Sequence, residues 1–265
     1  MATVAVAAFD RGVSVGRVFE RAFATIRHNP VTTIGSALLL AGVPTTAFDL
    51  LMSNVRPEFL VLTFVGYALP GSIALFLIGW FVSQILGTFT QGAMVTAVVA
   101  ENESRRAGLS ETLIGALRSF IPLLGLGVLV GLAVVMGTTL LIVPAVMVYI
   151  LWSVAPSAVT QEGEGLFMAI NRSQELGEGA RWKAFGILSI LFVIGMVLSL
   201  SVTLLGRLAG LNLRTPQLSA SFMFTVATVA TITNLLWSTA LASLYVELRE
   251  WKEGGSVDTL EQVFI

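Results

Sequence analysis

FLVLTFVGYALPGSIALFLIGWFVSQILGTFTQGAMVTAVVA, residues 59–100, is a stretch of 42 residues without Asp, Glu, Lys or Arg. A second charge-free stretch of 43 residues covers 119–161, and shorter ones cover 184–206 and 215–246. About 20 apolar residues are enough for a helix to cross the hydrocarbon core of a bilayer. Each of the two longest stretches therefore has the length of a hairpin of two spans. Because soluble helices keep one polar face, the pattern predicts a membrane protein.

The composition points the same way and excludes several classes of function. Only 12% of the residues are charged, against about 25% in soluble domains. The longest polar segment, about 161–183, is too short for a separate soluble domain, so we predict one integral membrane domain over 1–265. A net charge of −1 argues against nucleic-acid binding. The absence of cysteine excludes disulfides and thiolate chemistry.

The charge-free stretches and the turn signals between them predict an all-α bundle of six transmembrane helices. One segment is ambiguous: 59–70 is either a short dipping or external helix, or a separate crossing that needs a thinner bilayer. The six predicted spans cover about 31–52, 72–100, 120–142, 144–160, 183–206 and 219–247.

The basic residues predict the orientation. With six spans, twelve Lys and Arg lie in the segments on one side, and Arg56, Arg207 and Arg214 lie on the other. The positive-inside rule then places both termini in the cytoplasm. No basic region precedes the apolar stretch that ends at Phe9, so we expect no cleaved signal peptide.

Three polar segments have apolar residues at helical spacing on one face. Each predicts an amphipathic helix that lies in the cytoplasmic interface with Arg near lipid phosphate, or packs under the bundle as a connector. The helices cover about 14–27, 109–120 and 165–177. The chain is thus predicted as three units of interfacial helix plus hairpin with a short tail, over about 12–100, 109–160, 164–248 and 249–265.

The last unit carries a recognisable pattern over about 149–254. It combines a tryptophan–proline span, an alanine-to-Arg-Ser helix and a closing Tyr-x-x-Leu-Arg-x-x-x-Glu-Gly, and its residues are Trp152, Pro156, Ala169, Arg172, Ser173, Tyr245, Leu248, Arg249, Glu253 and Gly254. The pattern resembles the membrane-domain family fused to some glycerophosphoryl diester phosphodiesterases, and its stand-alone six-span bacterial relatives. The first half of the chain is similar only in layout, and the tail after Gly254 departs from the family.

The resemblance implies a bacterial inner-membrane location and supplies no biochemical activity. The catalytic barrel of the fused enzymes is absent, and the single histidine, His28, cannot build its acid–base chemistry. The sequence also lacks a metal-ligand cluster, a nucleophile elbow and a phosphate-binding glycine loop. We therefore predict a protein that is not an enzyme, with no catalytic residue, cofactor or metal.

Polar residues at membrane depth form the first candidate site. Gln84, Thr88 and Gln91 face one way on the second span, and Asn234 lies in the sixth. These residues are candidates to line a polar crevice, or they hydrogen-bond across a helix interface. The glycines Gly127 and Gly131 in the third span predict close helix packing.

Charges at the predicted inner rim form the second candidate site. They either make a salt-bridged ring that holds the interfacial helices to the bundle, or bind an anionic lipid headgroup or a partner. The predicted residues are Arg172, Arg181, Arg249, Glu162, Glu175 and Glu253.

Two functions follow as hypotheses, with membrane lipids as the expected partners. One is a non-enzymatic protein that organises or binds lipid or a membrane partner, which a closed bundle with an apolar groove over the third interfacial helix would favour. The other is a transporter or permease-like protein for an apolar or lipid-like substrate, which a polar cavity around Gln84 and Gln91 would favour.

Overall fold

The computed structural model describes residues 12–55, 72–140, 142–209 and 220–263, and within these ranges it contains helices and no strand. The predicted segment 59–70 lies outside the described residues. The helices are α1 Val15–His28, α2 Pro30–Ala37, α3 Val43–Val55, α4 Ser72–Asn102, α5 Leu109–Arg118, α6 Phe120–Leu140, α7 Ile142–Trp152, α8 Ala155–Glu162, α9 Leu166–Gly177, α10 Arg181–Leu208 and α11 Ala220–Val263. A π-helical turn, Leu38–Gly42, joins α2 to α3.

Six helical stretches in the described part of the chain are long and apolar enough to cross a membrane, which confirms the predicted number of spans. The boundaries fall close to the predicted ones. The stretches are Pro30–Leu51, Leu77–Asn102, Phe120–Gly137, Val143–Glu162, Arg181–Leu208 and Phe224–Glu253.

Two features differ from the prediction. The fourth span is interrupted at Ser153–Val154, where α7 ends and α8 begins. Pro156 is the second residue of α8, and its ring lacks an N–H and clashes with the carbonyl four residues earlier, which explains the break. The last helix also continues to Val263, so the backbone of the predicted tail, 249–265, continues the sixth span as far as the structure describes it.

The centre of the bundle is formed by α4 and α11. All residues of 88–95 and of 238–248 are buried, as expected for a helix surrounded by other helices. In contrast, α10 exposes large apolar side chains such as Phe192, Val193 and Leu200. This helix is therefore peripheral, and its exposed face suits contact with acyl chains.

Three short helices, α1, α5 and α9, lie where the first, third and fifth spans begin; we call this end of the bundle the rim end. Hydrogen bonds join the turns beside these helices to one another and join α9 to the fourth span. Asn29 Nδ2 donates to the carbonyl of Ala107 at 2.6 Å, and Ser173 Oγ donates to that of Leu151 at 2.7 Å. Each short helix has buried residues on its bundle side.

Candidate functional site

A cavity of about 470 Å³ lies among α4, α6, α7, α8, α10 and α11. Its volume falls within the roughly 300–1,000 Å³ of small-molecule sites, and it is partly open to the outside of the bundle. The four residues of the predicted crevice, Gln84, Thr88, Gln91 and Asn234, all line it. Residues 84, 88 and 91 share a face of α4 because a helix repeats every three to four positions.

The interruption of the fourth span shapes one wall of this cavity. Within the turn, the amides of Ser157 and Ala158 both bond to the carbonyl of Val154, which leaves the carbonyl of Ser153 without its usual helical donor. Gln91 Nε2 donates to Ser153 O at 2.7 Å and to Ser157 Oγ at 3.3 Å. A buried side chain of α4 thereby satisfies a carbonyl that would otherwise be costly to bury.

An aromatic pair joins α7 to α11 on another wall. Trp237 Nε1 donates to the hydroxyl of Tyr149 at 3.0 Å, and the two ring centroids are 6.1 Å apart. Both residues line the cavity. Neither residue was among the predicted site residues. The signal that could have found them is that a tyrosine and a tryptophan inside apolar spans need hydrogen-bond partners.

Several amide atoms that line the cavity have no hydrogen-bond partner. Among the described residues, the Gln84 amide, Gln91 Oε1 and Asn234 Nδ2 have no hydrogen-bond partner, whereas Asn234 Oδ1 accepts from Ser238 Oγ at 3.4 Å. The lining residues include no Asp, Glu, Lys, Arg or His within the described part of the chain. The cavity therefore offers uncharged donors and acceptors beside apolar side chains.

The second candidate site is an ion network at the rim end, the rim cluster, made of Glu162, Arg172, Tyr245, Arg249 and Glu253. The Tyr245 hydroxyl donates to Glu162 Oε1 at 2.7 Å. Arg172 Nε donates to Glu162 Oε2 at 2.9 Å, and a second guanidinium nitrogen contacts Glu253. Arg249 Nε donates to Glu253 Oε2 at 2.8 Å. The network joins α8, α9 and α11.

The rim cluster contains four of the six predicted rim residues. Burial lowers the pKa of the Arg172 guanidinium, but its hydrogen bonds to Glu253 and Glu162 outweigh burial and raise the pKa above its usual value. Arg172 and Arg249 are therefore occupied by carboxylates of the chain itself. Glu175 and Arg181, in contrast, are exposed and have no ion pair among the described residues.

A second charged group at the rim end, which we call the α1 clamp, was not predicted. Glu247 is only 3% exposed, and its Oε1 accepts from Arg17 Nε at 2.8 Å and from the Ser14 amide at 3.1 Å. Its neighbour Glu250 accepts from Arg21 Nη2 at 2.7 Å and from Asn102 Nδ2 at 2.8 Å. The sequence signal was an acidic residue directly after the charge-free stretch 215–246, which must be paired when it is buried.

The fold and these sites define a class of protein rather than a family. Six helices of this length and hydropathy indicate an all-helical, multi-pass membrane protein. Comparison with protein-family models, with curated proteins and with solved structures found no match for the chain. The resemblance to the membrane domain of the phosphodiesterase-fused proteins stays a prediction.

Proposed function

We propose that this protein binds an uncharged, lipid-like molecule in the cavity between its spans and acts as a carrier or permease for it. The supporting observation is that the Gln84 amide, Gln91 Oε1 and Asn234 Nδ2, which have no hydrogen-bond partner among the described residues, line a cavity of about 470 Å³ inside a bundle of apolar spans. Unpaired polar groups at membrane depth are costly, and a ligand with hydroxyl, ester or amide groups would satisfy them.

The lining argues for an uncharged ligand. A charge placed in a low-dielectric site needs an opposite charge or strong hydrogen bonds, and the described lining residues carry no charged group. Val130, Val226 and Leu241 supply apolar surface to the same cavity. An amphiphile with a small neutral headgroup and an apolar chain matches both the polar and the apolar side chains of the lining.

The position of the exposed lining residues along the spans supports entry of the ligand from the bilayer. Gln91 and Ser153, near the middle of their spans, are buried, whereas Ser199 and Ala230, toward the end opposite the rim end, are exposed lining residues. Ser199 belongs to the peripheral helix α10, whose outer face is apolar. A ligand of this kind would therefore pass from acyl chains into the cavity without crossing water.

Lipid organisation is the second candidate function, supported by the three short helices at the rim end. Each has an exposed apolar side chain opposite its buried face, such as Phe23 in α1, Leu117 in α5 and Phe167 in α9. Such helices lie in the membrane interface with their apolar residues at the acyl boundary. The basic-residue bias would place this interface on the cytoplasmic face of the membrane, and the resemblance described above implies a bacterial inner membrane.

Cysteine protection tests the cavity as a ligand site. Because the chain has no cysteine, one thiol can be introduced at a time, and we choose Ser83→Cys and Ser199→Cys on the lining. In nanodiscs, an uncharged monoacylglycerol is expected to slow alkylation of both thiols by a small maleimide several-fold. Lysophosphatidylglycerol, which has a similar chain and a charged headgroup, is expected to protect much less.

The matched control for cysteine protection is Ser110→Cys in α5 at the rim end, where the native side chain is exposed and does not line the cavity. Monoacylglycerol is expected to leave its alkylation rate unchanged. Equal protection of all three thiols, or none at positions 83 and 199, would remove the ligand proposal and leave lipid organisation as the better explanation.

Reporter fusions test the orientation. Fusions after residues 55, 105, 165, 212 and 265 are expected to report external, cytoplasmic, cytoplasmic, external and cytoplasmic positions, because most Lys and Arg then lie inside. An external signal at 165 would contradict the proposed sidedness.

A further inference from the structure

We infer that a corner of the rim end, separate from the cavity, binds the phosphate of an anionic phospholipid. The corner is formed by Arg181, Trp182 and Lys183 at the start of α10 and by Trp251 and Lys252 near the rim end of α11. We call these five residues the basic corner.

Packing brings the two segments of the basic corner together. A Cβ added to Gly179, in the turn before α10, would lie 3.0 Å from Cη2 of Trp251. The Trp251 ring therefore packs against that turn, and Lys252 Nζ lies 5.6 Å from the ring centroid. These residues are about 70 positions apart in the sequence, so only the fold unites them.

The cations of the corner are available to a ligand. Arg181, Lys183 and Lys252 are exposed, and none of them forms an ion pair with another described residue. The nearest acidic residue to Arg181 and Lys183 in sequence is Glu178, which is exposed and likewise unpaired within the described ranges. Lys252 lies between Glu250 and Glu253, whose carboxylates already pair with Arg21 and with Arg172 and Arg249. This distinguishes the corner from the rim cluster, where Arg172 and Arg249 already bind carboxylates.

The aromatic residues favour a lipid over a free anion. Trp182 is 85% exposed and stands edge-on to Phe185, with 6.1 Å between the ring centroids. Indole rings at the ends of spans prefer the headgroup region of a bilayer, where Lys and Arg attract anionic phosphates. The apolar outer face of α10 continues from this point, so the chains of a bound phospholipid have a surface to follow.

Lipid retention measured by native mass spectrometry tests the inference. The full chain is reconstituted in nanodiscs of equal phosphatidylglycerol and phosphatidylcholine, transferred to detergent and compared with the variant Arg181→Gln/Lys183→Gln/Lys252→Gln. We expect the variant to retain on the order of tenfold less phosphatidylglycerol, since each cation near the surface contributes to the attraction, with phosphatidylcholine unchanged.

The matched control removes the same charge from the rim end but outside the corner. Arg27→Gln/Arg106→Gln/Arg118→Gln replaces three exposed cations that have no ion pair in the described part of the chain, and we expect it to keep the wild-type retention. The charge-retaining variant Arg181→Lys is also expected to retain the lipid. Equal loss in both triple variants, or no loss at the corner, would overturn the inference.

Competition with inorganic phosphate distinguishes a phospholipid headgroup from a free phosphate ion as the ligand of the basic corner. At millimolar concentration, inorganic phosphate is expected to leave phosphatidylglycerol bound, since it cannot use the apolar surface beside Trp182. Complete displacement by inorganic phosphate would show a free-anion site and reject the lipid site.

Discussion

Replacing Glu247 with Gln is expected to lower the free energy of unfolding by roughly 2–4 kcal/mol, because it leaves a charged group of the α1 clamp without its partner. Glu247 holds α1 to the last span through Arg17 and the Ser14 amide. The Glu247 side chain is 4% exposed, whereas that of Arg17 is 41% exposed. Because water can solvate Arg17 after the substitution, we expect the loss of stability to be smaller than for a deeply buried ion pair.

The measurement is reversible unfolding of the purified protein, by steric trapping in bicelles or by titration with SDS. Glu250→Gln is the matched control one turn further along α11, where the side chain is 45% exposed. Exposed ion pairs contribute up to about 1 kcal/mol. The partner Arg21 is 17% exposed and keeps the Glu247 carboxylate 3.9 Å away in this variant, so the control is expected to change less than Glu247→Gln. Similar values for the two variants would contradict the view that Glu247 is the main anchor of α1.

Replacing Gly127 with a larger residue is expected to be the second change that lowers the free energy of unfolding strongly. An added Cβ would lie 2.9 Å from the Cα of Ile85 in α4. A main-chain atom cannot rotate away, so the two spans must separate. We expect Gly127→Ala to cost about 1–3 kcal/mol and Gly127→Leu more, in the range of overpacked cores. This contact confirms the close packing predicted for Gly127.

Unfolding of Gly127→Ala under the same conditions is compared with Gly186→Ala. A Cβ at Gly186, in the membrane-spanning helix α10, meets no atom within 4 Å. Alanine is the better helix former by up to about 1 kcal/mol, so this control is expected to be neutral or slightly stabilising. If Gly127→Ala behaves like the control, α4 and α6 are not in close contact there.

The change at Gly127 also reaches the candidate site. Ile85 is adjacent to Gln84, and the same added Cβ would lie 3.0 Å from Thr88 Oγ1; both polar residues line the cavity. Gly127→Ala is therefore expected to weaken monoacylglycerol protection of the thiol at position 83. Gly186→Ala is expected to preserve it, because Gly186 does not line the cavity.

The local pattern of residues was sufficient to predict the spans and part of the candidate cavity site. Runs of uncharged residues define a span through their length alone. The spacing of Gln84, Thr88 and Gln91 places two amides and one hydroxyl on one face of α4 whatever its neighbours are. The helix break at Ser153–Val154 was harder to predict from the sequence. Pro156 was visible, but its effect depends on whether another helix can satisfy the freed carbonyl, as Gln91 does.

The residue pattern was enough to predict six apolar helices that shield their backbone in a membrane, because the hydrogen bonds of a helix close within its own segment. Which polar groups meet became visible only in the packed bundle: Asn234 with the face of α4, Glu247 with Arg17, and Arg172 with two carboxylates. The rotation and tilt of each helix against its neighbours set these pairings. Packing of side chains from distant segments controls both, and no periodicity within one segment encodes it.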